Sequence, residues 1–77
     1  MKKKLFLLKS LNKMKRVKFI QHLNIHSCGF VKHGTRHDKY INHNNGNRTF
    51  IPRHADIDTD LCMFICKQLD IPKPDGV

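Results

Sequence analysis

The sequence predicts an α+β domain in the order helix, strand, strand, strand, helix, and three observations predict it. Apolar residues recur at helical spacing from Lys15 to about Ser27 and again from Thr59 to about Leu69. Between these stretches, short runs bounded by Gly, Asn and Pro read as strands. The chain has 77 residues, 39% of them apolar and 8% aromatic, which suits one small two-layer unit. A second catalytic domain or a large cofactor-binding fold does not fit in that length.

Each element has its own warrant. In the first helix the stripe is Val17, Phe19, Ile20 and Leu23, with basic and amide residues between, and Gly29 discourages continuation past Ser27. Cys28 to Lys32 is a short apolar run that enters a loop at His33-Gly34-Thr35-Arg36. His37 to Asn42 and Arg48 to Ile51 are the next two strands, and His43-Asn44-Asn45-Gly46-Asn47 joins them as a hairpin because Asn and Gly tolerate positive φ. Pro52 ends the last strand, since it has no N–H to give a ladder. Asp58 can N-cap the final helix, whose Leu61, Ile65 and Leu69 recur at i, i+4 and i+8, flanked by Cys62, Phe64 and Cys66. Asp56, Asp58 and Asp60 crowd its positive end, and Pro72 and Pro74 stop it. Two such helices can cover one face of a three-stranded antiparallel sheet and leave the other face open.

Charge narrows the function. Fifteen Lys and Arg face six Asp and no Glu, a formal +9. Ten of those cations and no acid lie in residues 1–37, whereas every Asp lies from Asp38 onward. A chain this basic expects an anionic partner, whether nucleic acid, an acidic membrane surface or an acidic protein. Three Cys without dense spacing do not build a secreted disulfide framework, so reduced cytoplasm is the expected compartment. Cys62 and Cys66, four apart in an apolar stretch, read as small buried hydrophobes; His54, Cys62 and Cys66 lack zinc-finger spacing, and no metal site is expected. Residues 1–13, MKKKLFLLKSLNK, begin like a signal peptide, but Lys9 ends the apolar run after four residues. An export segment needs about 7–15 apolar residues and a membrane span about 20. Two readings stand for this stretch: a flexible or helical basic extension, or an upstream start with Met14 opening the domain proper. In both, residues 1–13 lie outside the core, 14–72 form the domain and 73–77 a tail.

Of six His, His22 and His26 fall on the first helix and His43 in the hairpin loop, all three surface or half-buried positions. His33, His37 and His54 are presented by loops or strand ends. His37 is the candidate for catalysis: it follows Gly34-Thr35-Arg36, where Gly permits close backbone approach, and it begins a strand that holds the ring steady. Arg36 and Lys39 bring positive charge to the same place. RNA cleavage needs a base near the ribose 2′-OH, an acid near the leaving oxygen and charge stabilisation of the phosphorane, and an imidazole can perform either proton step. Strand alternation sets His37, Lys39 and Ile41 on one face and Asp38, Tyr40 and Asn42 on the other. If His37 faces RNA, either Ile41 lies partly exposed or a bulge intervenes.

An ordered set of short matches covers residues 14–72. These are Met14-Lys15-Arg16, Phe19-Ile20-Gln21-His22-Leu23, Gly34-Thr35-Arg36-His37, Tyr40-Ile41-Asn42, Ile51-Pro52-Arg53-His54 and Ile65-Cys66-Lys67-Gln68-Leu69-Asp70-Ile71-Pro72. In these pieces the chain resembles the HicA-type toxins, small bacterial mRNA interferases of type II toxin–antitoxin systems. The resemblance implies a double-stranded-RNA-binding-like α-β-β-β-α fold, with two helices on one face of the sheet. It implies a metal-independent, cofactor-free endoribonuclease acting on mRNA, with the functional histidine of a Gly-x-x-His motif at His37. Gly34, Thr35, Arg36, Lys39, Arg53 and His54 are then the expected RNA-binding residues, and His54 can alternatively hydrogen-bond the loop before the last helix. A HicB-type antitoxin is the implied partner, acidic enough to complement the toxin, and no membrane is involved. The chain departs from the pattern at Ser27, where relatives commonly hold Gly, and at Thr35, where a smaller residue is usual. Two other functions fit the composition: a non-catalytic basic RNA-binding module, and a protein-interaction domain that docks a partner on Met63 and Phe64 of the last helix.

Overall fold

The structure, a computed structural model, describes residues 12–75 and 77; most of the expected N-terminal extension, residues 1–11, lies outside the described residues. Seven elements follow in order: β1 (Lys13–Lys15), α1 (Arg16–Ile25), β2 (Cys28–His33), β3 (His37–Asn42), β4 (Arg48–Pro52), β5 (Asp56–Asp58) and α2 (Thr59–Leu69). The two helices and the three-stranded antiparallel sheet β2-β3-β4 are the α+β architecture expected from sequence.

A second, two-stranded sheet was not expected. β1 pairs antiparallel with β5, placing Lys13 opposite Asp58, Met14 opposite Ile57 and Lys15 opposite Asp56. The backbone continues the joint on both sides: Arg16 N–H donates to the Ala55 carbonyl at 2.8 Å, and Thr59 N–H donates to the Asn12 carbonyl at 3.0 Å. Ile57 is buried in the core, while Lys13 and Lys15 pair with Asp58 and Asp56 at 3.0 and 3.2 Å. Both ion pairs are about half exposed, so each contributes only about 0–1 kcal/mol. The acids ahead of α2 therefore serve a strand before they serve a helix dipole. Asp58 does occupy the N-cap position, but its side chain makes no capping hydrogen bond because it is turned to Lys13.

The core is one layer between the helices and the even-numbered side of β3. From α1 it takes Phe19 and Leu23, which lie one turn apart; Val17, two positions before Phe19, points away and is 70% exposed. From α2 it takes Cys62, Ile65, Cys66 and Leu69, an i, i+3, i+4, i+7 line. Of the predicted stripe Leu61, Ile65 and Leu69, the last two are buried, and the face is rotated toward the cysteines so that Leu61 and Phe64 lie at its margins. Small thiols on the contact line let the helix come close to the sheet, where bulkier side chains would hold it off. All three Cys are free and buried. Burial pushes the thiols of Cys62 and Cys66 up to about 11, so they stay protonated packing groups at neutral pH.

Helix ends and turns follow local chemistry. α1 stops at Ile25, and Ser27 takes the left-handed conformation with φ 66°. That is the position where the resemblance expects Gly, and a residue with a Cβ is strained there by about 1–2 kcal/mol. α2 closes with Asp70 at φ 58° and with Ile71 N–H donating to the Cys66 carbonyl at 3.0 Å, a Schellman arrangement that turns Ile71 back onto the core. In the β3–β4 hairpin only Gly46 has positive φ; the asparagines act through their side chains instead. Asn42 Nδ2 donates to the Leu69 carbonyl at 2.8 Å while its Oδ1 accepts from Asn44 N–H at 2.9 Å. The hairpin is thereby tied to the end of α2.

Candidate nucleic-acid interface and histidine site

β3 is the central strand, and its alternation resolves the question of faces. Asp38, Tyr40 and Asn42 are buried against the helices, whereas His37 is exposed on the open side with Lys39 and Ile41 half-buried beside it. Of the two alternatives left open by sequence, partial exposure of Ile41 holds. Pairing of β3 with β4 runs without interruption from His37 opposite Pro52 to Ile41 opposite Arg48.

The irregularity is in β2 instead. Phe30 pairs with Tyr40 and Lys32 with Lys39, so Val31 is the extra residue of a β-bulge. Opposed residues share a face, so the bulge puts Phe30 and His33, three apart, on the same side of the sheet as Tyr40 and Asp38. His33 is thereby aimed at Asp38, its Nδ1 donating to Oδ1 at 2.7 Å. It also puts Lys32 directly across from Lys39 on the open face. Like charges in that relation repel and destabilise the pair, which an anion bound between them would reverse.

Asp38 is the anchor of the site. Its carboxylate is 6% exposed and accepts from three side chains: His33, Arg53 Nη1 at 2.8 Å and Arg16 Nη2 at 2.8 Å. The hydrogen bonds from His33 and Arg53 hold its carboxyl down to about 2, against an ordinary 3.8. Arg16 also donates from Nε to the Pro52 carbonyl at 2.9 Å, joining the start of α1 to the end of β4. Sequence reasoning passed over both Asp38 and Arg16. A signal existed: Asp38 is the only acid among the first 55 residues, and a solitary carboxylate in so basic a stretch needs cationic partners.

Arg53 connects this anchor to the loop before His37. Nη1 donates to the Gly34 carbonyl at 3.1 Å and Nη2 to the Thr35 carbonyl at 2.7 Å. Gly34 N–H closes the turn by donating to the His37 carbonyl at 2.7 Å. A Cβ built on Gly34 would lie 2.7 Å from that same carbonyl oxygen, closer than such contacts occur, so only glycine fits. The Gly-x-x-His spacing therefore has a local reason: two residues bridge two backbones pressed together, and His37 emerges where they part. Gly34 and Arg53, expected as RNA contacts, are engaged within the protein, shaping the loop that presents Thr35, Arg36 and His37.

Two shallow clefts flank His37. One is lined by Thr35, Arg36, His37, Arg53 and His54, the other by Gly34, Thr35, Arg36, His37 and Phe50. The expected site residues thus gather around one imidazole, with Lys39 on its face two positions along β3, roughly 7 Å away. His54 is exposed and also borders a third cleft against β5. Every charged side chain on the open face of the three strands is cationic, namely Lys32, Lys39 and Arg48. The remaining histidines lie elsewhere: His22 donates from Nε2 to the Pro72 carbonyl at 2.7 Å and packs its ring 4.6 Å from that of His26, and His43 lies over Gly29. Among the described residues no group of three metal-ligating side chains converges, and no helix is long and apolar enough to cross a membrane.

Compared with protein-family models, with curated proteins and with solved structures, the chain gives no match.

Proposed function

We propose that the protein is an endoribonuclease toxin of the HicA type, with a double-stranded-RNA-binding-like fold, that cleaves mRNA in the cytoplasm through His37. One observation carries this reading: an exposed imidazole stands on a locked loop at the end of a sheet face whose charged groups are all cationic. A phosphodiester laid along that face meets Lys39 and Arg36 at its non-bridging oxygens and His37 at its proton-transfer positions. The reaction is internal to RNA. The 2′-oxygen attacks phosphorus as its proton leaves, the bond to the 5′-oxygen breaks, and that oxygen takes a proton. His37 can accept the first proton or deliver the second, with solvent serving the other step. Charge stabilisation from Arg36 and Lys39 allows the step to proceed without a metal. The same cationic face suits an acidic antitoxin of HicB type, whose binding would cover His37 and be accelerated by charge.

The test is cleavage of a defined mRNA by purified protein in the presence of EDTA, alongside His37→Ala. Cleavage by the parent and its loss by about 10²–10⁴-fold in the variant is the expected result. Equal cutting by both proteins would refute the role of His37. Salt-sensitive binding with no cleavage by either would favour the non-catalytic RNA-binding module, to which the opposed Lys32 and Lys39 lend independent support.

A further inference from the structure

The open face carries one feature that acid–base chemistry does not use. Phe50 sits in the interior of β4, opposite Lys39, with 60% of its surface exposed. Phe30, the other exposed aromatic of the sheet, has ring partners: His33 at 4.8 Å and Tyr40 at 5.9 Å. Among the described residues Phe50 has none. It forms one wall of the cleft whose opposite wall is the Gly34–His37 loop, and that cleft is almost wholly apolar inside. Arg36 lines it, and Lys39, opposite Phe50, and Arg48, two residues before it, share the same sheet face. A shallow apolar cleft against an aromatic side chain, with an arginine and an imidazole in its lining, has the chemistry of a seat for one nucleotide.

We propose that Phe50 is a stacking platform for an unpaired base next to the bond cut at His37, and hence that the substrate is single-stranded RNA. This rests on the ribonuclease reading for the position of the bond, but not for the stacking itself. A-form duplex presents phosphates and 2′-hydroxyls to a protein and keeps its base faces stacked inside, where the ring of Phe50 has nothing to meet. A single strand exposes those faces, and each stacks on an aromatic side chain with little regard to base identity. The fold thus presents a duplex-compatible cationic surface with an aromatic that only an unpaired strand can use. Phe30 does not compete for this role, since its ring is already packed against His33 and Tyr40 on the helix side.

The experiment is fluorescence anisotropy with the full chain in a His37→Ala background, so that the probe survives. Probes of about 12 nucleotides are compared as a single strand and as its duplex. Phe50→Ala and Phe50→Leu each weaken single-strand binding by about tenfold, whereas Phe50→Tyr, which keeps a π face, stays within about twofold. Duplex binding is weaker than single-strand binding in the parent background and is unmoved by all three changes. Thermal melting reads folding separately, and because the side chain is exposed the variants melt with the parent background. The proposal is overturned if Phe50→Leu retains single-strand affinity, if the duplex binds as tightly as the strand, or if neither RNA binds. Cleavage by the chain with His37 intact is scored apart. Phe50-dependent binding without cutting retires the ribonuclease reading and keeps the stacking role, while cutting with Phe50-independent binding does the reverse.

Discussion

On one side of β3, Asp38, Tyr40 and Asn42 are 4%, 5% and 3% exposed, and on the other His37 stands in water with Lys39 and Ile41 beside it. Both triplets mix polar and apolar residues, so composition does not distinguish them. The partners do. Asp38 has two guanidiniums and an imidazole, Asn42 has the last carbonyl of α2, and among the described residues no buried side-chain polar atom lacks a hydrogen bond. The helix side holds Asp38 and Asn42 because their carboxylate and amide are satisfied internally. The open side holds Lys32 opposite Lys39 and Arg48 opposite Ile41, with no acid among its strand residues. Stability is built on one side of a single strand, and the proposed binding is assigned to the other.

Substitutions on the two sides should therefore separate. Ile51→Ala, on the helix side and fully buried, should cost about 2–5 kcal/mol in urea or thermal unfolding. Asp38→Asn comes next, since an amide cannot satisfy two guanidiniums, and its effect should depend on pH. Because the native carboxyl is held below its ordinary value, its stabilisation is complete above pH 3.8 and is lost as pH falls to about 2. Melting temperature against pH should drop across that window in the parent and be flatter there in Asp38→Asn, which starts lower at neutrality. Ser27→Gly should act in the opposite direction and stabilise by about 1 kcal/mol, since glycine takes φ 66° without strain. Smallest in stability are Lys39→Ala and His37→Ala, each within about 0.5 kcal/mol of the parent. Lys39→Ala should nonetheless weaken RNA binding and lower the slope of log affinity against log salt by about one. A large loss of stability in His37→Ala would break the separation.

How much of this could be read from sequence depended on how local each cause is. The helices, the three main strands and the candidacy of His37 follow from spacing and turn residues within a few positions, and they were legible. β1 and β5 are three residues each, Lys-Met-Lys and Asp-Ile-Asp, too short to show a period, and they pair across more than forty residues. The face carrying His37 was undecided because it depends on where Asp38 finds its partners. Two of those, Arg16 and Arg53, are 22 and 15 positions away, one in α1 and the other in the loop after β4. The role proposed for Phe50 was hidden for the same reason: in β4 it reads as ordinary strand composition until the sheet shows which way it points.

The crowding at Gly34 has a further consequence. Any side chain there must displace the His37 carbonyl, so a single codon change would disarm the proposed toxin without replacing any of its histidines or charged residues. Cells forced to express the gene without an antidote would survive through such changes. Sequencing the survivors would reveal a hot spot of inactivating alleles three residues before the histidine.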